Sequence, residues 1–338
     1  MKTVTPMKVD QLEEAIEVSA TDTIPVIDLS GFATREGRSK IAAEVHDACT
    51  SIGFFLIKGH GISKTVMESM FKASEKYFDL PINEREKHTN DFKRGFLRKG
   101  GQSKESYEIS LDLPLDDPDV VAGCYLHGPN YWPGGHPWLQ KVADQYLASI
   151  LELGEKIERL FAIGLGIDEY YFVELCKKPT LHLRLMHYLE QPEEMRTRDL
   201  VIPAHTDYGM FTVLLQDPNG GLEIQRRDGT WVKAPQVEDS FVVNIGDMME
   251  IWTNDLYVST PHRVVGLSGR DRHSVPAFFA PAFNTSVECI SSCLAPGEAA
   301  KHPPLLAGKY LDERLSQQYG ATGTGKGSVR AHRMRASA

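Results

Sequence analysis

Cysteine is scarce in this chain. Its 338 residues contain five, at Cys49, Cys124, Cys176, Cys289 and Cys293. The number is odd and no CxxC pair occurs. A disulfide framework is therefore not expected, and a reducing cytoplasm is the natural compartment. Cys289 and Cys293 lie close enough to share a metal, but they read more simply as ordinary side chains. Long apolar runs are missing too. No stretch approaches the ~20 residues that span a bilayer. Met1 to Ala20 mixes acids with scattered apolar residues and lacks the apolar core of a signal peptide. No membrane partner is expected. Positive charge is also short, with 37 Lys and Arg against 46 Asp and Glu, a net −9. No basic stripe precedes the last few residues, so nucleic acid is not an expected partner.

What is present suits a globular enzyme. The chain is 41% hydrophobic and long enough to bury a core without staples. Ile24 to Leu29 reads as a strand and Arg38 to Ser51 as an amphipathic helix. Gly53 to Ile57 reads as a buried strand, and Ser63 as the N-cap of a helix running to about Phe78. Ile82 to Lys87 adds a short helical turn. From Asn90 to Pro137 glycines and prolines predict loops. Trp138 to Gly164 is a long helical pattern. After Thr180 the pattern changes to short strands: Leu181–Leu189, Phe211–Gln216, Leu222–Arg226, Phe241–Ile245, His262–Val265 and His273–Phe279. Such closely spaced strands predict a sandwich or barrel. Ala321 to Ala338 reads as a flexible tail. No internal repeat or sharp composition break divides the chain.

The chemistry concentrates in the strand-rich half. In Ala204-His205-Thr206-Asp207 two donors stand two residues apart, so on a strand they share a face. His262, on a later strand, is the best third donor. Two histidines and a carboxylate on one face of an octahedron leave three positions open, the arrangement that suits Fe(II) and oxygen. A bidentate 2-oxo acid needs two of them and O2 one. Ten residues beyond His262, Arg272 and Ser274 share a strand face. A guanidinium and a hydroxyl there make a receptor for a carboxylate. Leu183 to Tyr188 places Arg184, Met186 and Tyr188 together, with Tyr188 able to donate to the same co-substrate.

As an ordered set these residues strongly resemble the Fe(II)/2-oxoglutarate-dependent dioxygenases of the isopenicillin N synthase-like family. The resemblance runs from about Ile24 to Tyr319. Ile24-Pro25-Val26-Ile27-Asp28-Leu29 and Gly53-Phe54-Phe55 match the family's N-terminal pattern. His205-x-Asp207, His262-Arg263-Val264, Arg272-x-Ser274, Gly220-Gly221-Leu222-Glu223 and Asn244-x-Gly246-Asp247 match its core. The resemblance implies mixed α and β structure, with a double-stranded β-helix (a distorted jelly roll) flanked by helices. It implies a single catalytic domain over 1–320: a helical and strand region at about 20–178, a jelly-roll core at about 179–290 and a C-terminal helix at about 303–320. It implies Fe(II) on His205, Asp207 and His262. It also implies 2-oxoglutarate held by Arg272, Ser274 and Tyr188.

The implied reaction oxidises, and most simply hydroxylates, a C–H bond of a small organic molecule, with release of succinate and CO2. No further acid or base is assigned. Many relatives carry Asn two residues before the tyrosine, where this chain has Met186. Halogenating relatives usually lack the metal carboxylate, which Asp207 supplies here. Substrate contacts are expected from Arg184, Tyr208, Phe211 and Phe278. Lys104 to Ile109 and Gly128 to Pro133 resemble segments of fungal thymine hydroxylases and related microbial oxygenases. They are expected in loops at the pocket, which suggests a small polar heterocycle or amino-acid-like substrate. A monomer is the default. Three alternatives remain. One is an oxidase like isopenicillin N synthase, in which the Arg-x-Ser pair holds the substrate. The others are a zinc hydrolase, for which no general base is evident, and a jelly-roll binding protein without metal.

Overall fold

The computed structural model describes residues 24–90, 92–98, 104–190, 200–266 and 271–320. The expected tail at 321–338 lies outside them. In chain order, β1 (Val26–Asp28) leads to α1 (Arg35–Ser51), β2 (Phe54–Lys58), α2 (Lys64–Phe78) and α3 (Ile82–Arg85). β3 (Gly95–Arg98) and β4 (Lys104–Ser110) precede α4 (Pro118–Val121), α5 (Pro137–Gly164) and α6 (Tyr171–Leu175). The strand-rich half follows: β5 (His182–Tyr188), β6 (Leu200–His205), β7 (Phe211–Gln216), β8 (Leu222–Gln225), β9 (Trp231–Lys233) and β10 (Phe241–Ile245). After α7 (Asp247–Trp252) come β11 (His262–Val265), β12 (Arg272–Phe279), β13 (Ser286–Val287), β14 (Leu305–Leu306) and α8 (Ala307–Gly320). Among the described residues no helix is long and apolar enough to cross a membrane.

Period-two alternation decides how these strands pack. Eight form one sheet in the order β1-β2-β10-β7-β12-β5-β4-β3, and four form a second in the order β6-β11-β8-β9. One face of the large sheet carries Phe55, Leu183, Val213, Val243, Val275 and Phe279. This face joins the apolar faces of α1, α2 and α5 in the main core. The other face turns towards the second sheet. Phe54, Leu56 and Val242 of the large sheet meet Leu222 and Ile224 of the small one. Met186 and Tyr188 meet Val201 and Val264 in another cluster. The same inner face also carries polar residues, among them Arg184, Thr212, Asn244, Arg272 and Ser274. The result is the expected jelly roll with helices outside.

The helix starts follow their caps. Thr34 accepts from the Gly37 N–H and Ser63 from the Val66 N–H, each filling an orphan donor of the first turn. The segment 90–137 differs from expectation. It contributes β3 and β4 to the large sheet as well as loops, with β4 pairing along all of β5 from Lys104↔Tyr188 to Ser110↔His182. β4 hides from pattern reading because its inner face is Lys104, Ser106, Glu108 and Ser110. Its partners across the sheet make burial of those polar groups tolerable.

Candidate metal centre

β6 and β11 lie side by side in the small sheet, with His262 directly opposite His205. Asp207 follows β6 in a bend. His205 Nε2 lies 3.8 Å from Asp207 Oδ1, and His262 Nε2 lies 3.7 Å from the same oxygen. Among the described residues these three form the one group of ligand-type side chains whose donor atoms all lie within 4.8 Å of one another.

Their surroundings choose the donor atoms. His205 Nδ1 lies 2.9 Å from the Pro203 carbonyl and His262 Nδ1 3.2 Å from the Thr260 carbonyl. A carbonyl only accepts, so each Nδ1 carries the proton and each Nε2 presents a lone pair inward. Asp207 is fixed through its other oxygen. Oδ2 accepts from Thr212 Oγ1 at 2.5 Å and Asn244 Nδ2 at 2.8 Å, leaving Oδ1 for a metal. Loss of hydration and the neighbouring His262 push His205 down to about 4, so the ring is neutral and free to ligate. Burial works against the charge on Asp207. The two imidazoles and its two donors nevertheless hold its carboxyl below the ordinary value. One anionic oxygen and two neutral nitrogens on one side of a point fit Fe(II) with positions to spare.

The backbone behind the centre is tightly packed. A Cβ at Gly246 would sit 2.3 Å from the Gly209 carbonyl oxygen, and one at Gly209 would sit 2.3 Å from that of Phe279. Glycine at both places lets the start of α7 and the end of β12 press against the metal-bearing bend.

Arg272, Ser274 and Tyr188, expected to hold the co-substrate, lie close together on the large sheet. Across the sheet, Lys104, Tyr188 and Arg272 stand in one row and Ser106, Met186 and Ser274 in the next. Arg272 is 2% and Ser274 1% exposed, and Arg272 Nη1 lies 3.4 Å from Ser274 Oγ. Arg272 Nε donates to the Gly220 carbonyl, and its guanidinium lies 4.6 Å from the Tyr188 ring centroid. No carboxylate among the described residues is within ion-pair distance of this buried cation. Burying an unpaired charge is expensive, so the site fits a carboxylate ligand. Met186, where relatives carry Asn, packs apolar against Val201 and Val264.

A cavity adjoins the metal donors. His205, Asp207, Tyr208, Arg184 and Phe278 line it. Arg184 donates from Nε to Glu108 Oε2 at 2.8 Å and stacks over Phe278 at 5.4 Å. Phe211 is a correction. It lies in the main core, stacked on Phe279 at 4.6 Å and edge-on to Phe161, away from the cavity. The strand phase is not continuous through the bend at 206–210, so Thr212, not Phe211, takes the inner face.

Several site residues escape the sequence reading. Glu108 and His182 touch each other on the cavity side. Burial opposes the charge of Glu108, yet Arg184 and His182 hold its carboxyl well below the usual range. Burial pushes His182 down to about 4. Asn244 belongs to a family motif, but its spacing alone assigns it no task. Leu311 and Leu315 of α8 also line the cavity.

Comparison with known proteins agrees with this arrangement. The pattern of the 2OG-Fe(II) oxygenase superfamily matches residues 179–281, and that of the non-haem dioxygenase in morphine synthesis N-terminal region matches 24–135. The chain is 32% identical over 315 residues to the 2-oxoglutarate-Fe(II) type oxidoreductase hxnY of Emericella nidulans, covering 88% of this chain and 90% of that protein. It is 34% identical over 277 residues to the 2-oxoglutarate-dependent dioxygenase caaD of Aspergillus niger, covering 76% and 84%. Its fold superposes on a full-length Neurospora crassa protein crystallised in complex with alpha-KG and thymine. There the TM-score is 0.79 and the identity 28%, covering 88% of this chain and 97% of that one.

Proposed function

The chain belongs to the 2OG-Fe(II) oxygenase superfamily, and we propose that within this activity His205, Asp207 and His262 hold the iron, Arg272, Ser274 and Tyr188 hold 2-oxoglutarate, and the adjoining cavity presents a substrate C–H bond. The protein is an oxidoreductase that uses Fe(II), 2-oxoglutarate and O2. Once bound, the metal supplies oxygen activation coupled to decarboxylation of 2-oxoglutarate to succinate and CO2.

The side chains bind, aim and exclude water. The Pro203 and Thr260 carbonyls keep Nε2 of each histidine unprotonated and pointed at the ion. Thr212 and Asn244 occupy one oxygen of Asp207, so the carboxylate offers the other. Arg272, with Ser274 beside it, would hold the far carboxylate of 2-oxoglutarate in a buried place. The observation that carries the reading is this buried guanidinium, which has no carboxylate within ion-pair distance among the described residues and lies on the face turned towards the sheet that bears His205 and His262.

The cavity supports a small planar substrate. Phe278 and Tyr208 offer aromatic faces, while Arg184, anchored by Glu108, supplies a donor for a carbonyl or anion. A related structure holds thymine, a ring of this kind. Hydroxylation is the proposed outcome. The five thiols, none paired, suit the cytoplasm. A monomer acting on small molecules alone, without nucleic acid or membrane, remains the proposed working form.

Succinate release in Fe(II), ascorbate and 2-oxoglutarate, screened over nucleobases, amino acids and aromatic acids, tests this function. His205→Ala or Asp207→Ala should lower it by at least ~100-fold, because each removes a ligand. Full turnover in either variant would sink the metal assignment.

A further inference from the structure

One wall of the cavity does not come from the sheets. Leu311 and Leu315 project into it from α8, near the C-terminal end of the described chain. Apolar contacts alone would let a helix slide, since they carry little direction. Here α8 has a polar tether as well. Tyr310 OH donates to Asp247 Oδ2 at 3.0 Å, and Arg314 Nη2 donates to the same hydroxyl oxygen at 3.1 Å. The Arg314 guanidinium also lies over the rings of Tyr310, at 5.1 Å, and Tyr208, at 5.5 Å.

Asp247 is completely buried, and its other oxygen accepts from Ser259 Oγ at 2.8 Å. Ser259 lies three residues before His262. The backbone around Asp247 is stitched to the segment that carries Asp207. The Asp247 N–H donates to the Asp207 carbonyl at 2.7 Å, the Met248 N–H to that of Gly209 at 3.0 Å, and the Gly246 N–H to that of Met210 at 2.9 Å. Asp247 therefore joins α8 to both ligand-bearing segments, through its carboxylate to Ser259 and through its backbone to the Asp207 segment. No step of the oxidation uses it.

We propose that Asp247 and Tyr310 are a positioning pair that sets the register of α8 against the metal-bearing bend, so that Leu311 and Leu315 decide which substrate C–H reaches the metal. This rests on the oxygenase reading for its consequence, though not for its geometry. Reaction rates fall steeply when the reacting atoms are misplaced by about 1 Å. A directional hydrogen bond holds a helix to a fraction of that distance. Tyr310→Phe removes the hydroxyl and keeps the ring.

The test compares Tyr310→Phe with the intact protein in three measurements. In native-state hydrogen exchange, α8 amides should exchange about 10-fold faster, the loss of one hydrogen bond, while those of 205–211 hold their protection. Anaerobic 2-oxoglutarate binding with Fe(II) should stay within about 2-fold, since Arg272 and Ser274 are untouched. Across a panel of methylated pyrimidines and aromatic acids, KM should rise more than kcat falls, and the rank order should shift in the direction that Leu311→Ala shifts it. Asp247→Asn should preserve the wild-type pattern, because hydroxyl partners rotate to serve an amide. Asp247→Leu should loosen α8 as Tyr310→Phe does, and should also loosen the segment before His262, because it cuts the Ser259 bond as well. The proposal falls if α8 exchange is unchanged in Tyr310→Phe, or if 205–211 loosens equally. Failure of the intact protein to bind 2-oxoglutarate would overturn the co-substrate assignment alone, and the exchange comparison would still decide the tether.

Discussion

The two faces of β5 and β12 both carry buried polar groups and use them in opposite ways. On the inner face Arg272, Ser274 and Tyr188 are buried, with no acid within ion-pair reach of Arg272 among the described residues. On the outer face His187 and His273 stack at 4.6 Å, and every charge near them is answered. His187 Nδ1 lies 2.9 Å from Glu105 Oε1, and Nε2 lies 3.0 Å from Asp271 Oδ2. Glu105 also pairs with Arg85, and His273 Nδ1 meets Ser74 Oγ at 3.2 Å. A buried polar group closed by protein partners serves the fold; one left open towards a cavity serves a ligand. Burial alone does not separate the two.

The outer face should break first in stability. Glu105→Ala leaves Arg85 without its carboxylate partner and His187 without one of two. Disrupting a buried pair in this way costs about 3–5 kcal/mol. Chemical denaturation should register that loss. 2-Oxoglutarate affinity, measured anaerobically, should stay within about 2-fold. A loss of affinity matching that of Arg272→Ala would show that the faces are not independent.

The inner face should respond the other way. Arg272→Ala removes charge-assisted hydrogen bonds worth about 1.5–3 kcal/mol. The 2-oxoglutarate requirement should therefore rise by about 10–100-fold, with kcat nearly restored at saturation. Stability should change little, because Arg272 has no ion-pair partner among the described residues and the variant loses only its bonds to Gly220 and Ser274. Unchanged 2-oxoglutarate dependence would remove the clamp, and a large fall in stability would make Arg272 structural.

This contrast also explains what was legible in the sequence. His205 and Asp207 were readable because two donors at strand spacing share a face by geometry alone. Arg272 and Ser274 repeat that logic, and the ordered family motifs supplied the pairing with His262. Phe211 was misplaced because the bend at 206–210 shifts the alternation by one residue, which no spacing rule reports. Glu108, within a segment expected at the pocket, and His182 drew no role of their own for another reason. β4 alternates over only Tyr107 and Ile109, and the acid on its other face is tolerable in a sheet because Arg184 and His182 stand across from it. The α8 wall was anticipated as a helix, but its contact with Asp247 joins residues 63 apart in sequence and leaves no local trace.

One group on the helical side departs from the rule of closed pairs and gives the smallest test. Glu158 of α5 is 4% exposed, and no cation among the described residues is within ion-pair distance of it. Burial pushes its carboxyl up to about 7, against a modest opposing contribution from the Cys176 thiol. The sign follows from linkage. A carboxyl whose folded value is raised leaves stability intact below its ordinary value near 4.5, and that stability is lost as pH rises through about 7. The full penalty above pH 7 is bounded at ~3 kcal/mol by the size of the shift. Glu158→Gln keeps the shape and removes the charge. It should therefore raise the melting temperature by several degrees at pH 8 and leave it unchanged near pH 4.5. Equal effects at both pH values would mean that Glu158 finds a charge partner in solution. It would then be closed like the rest of its face.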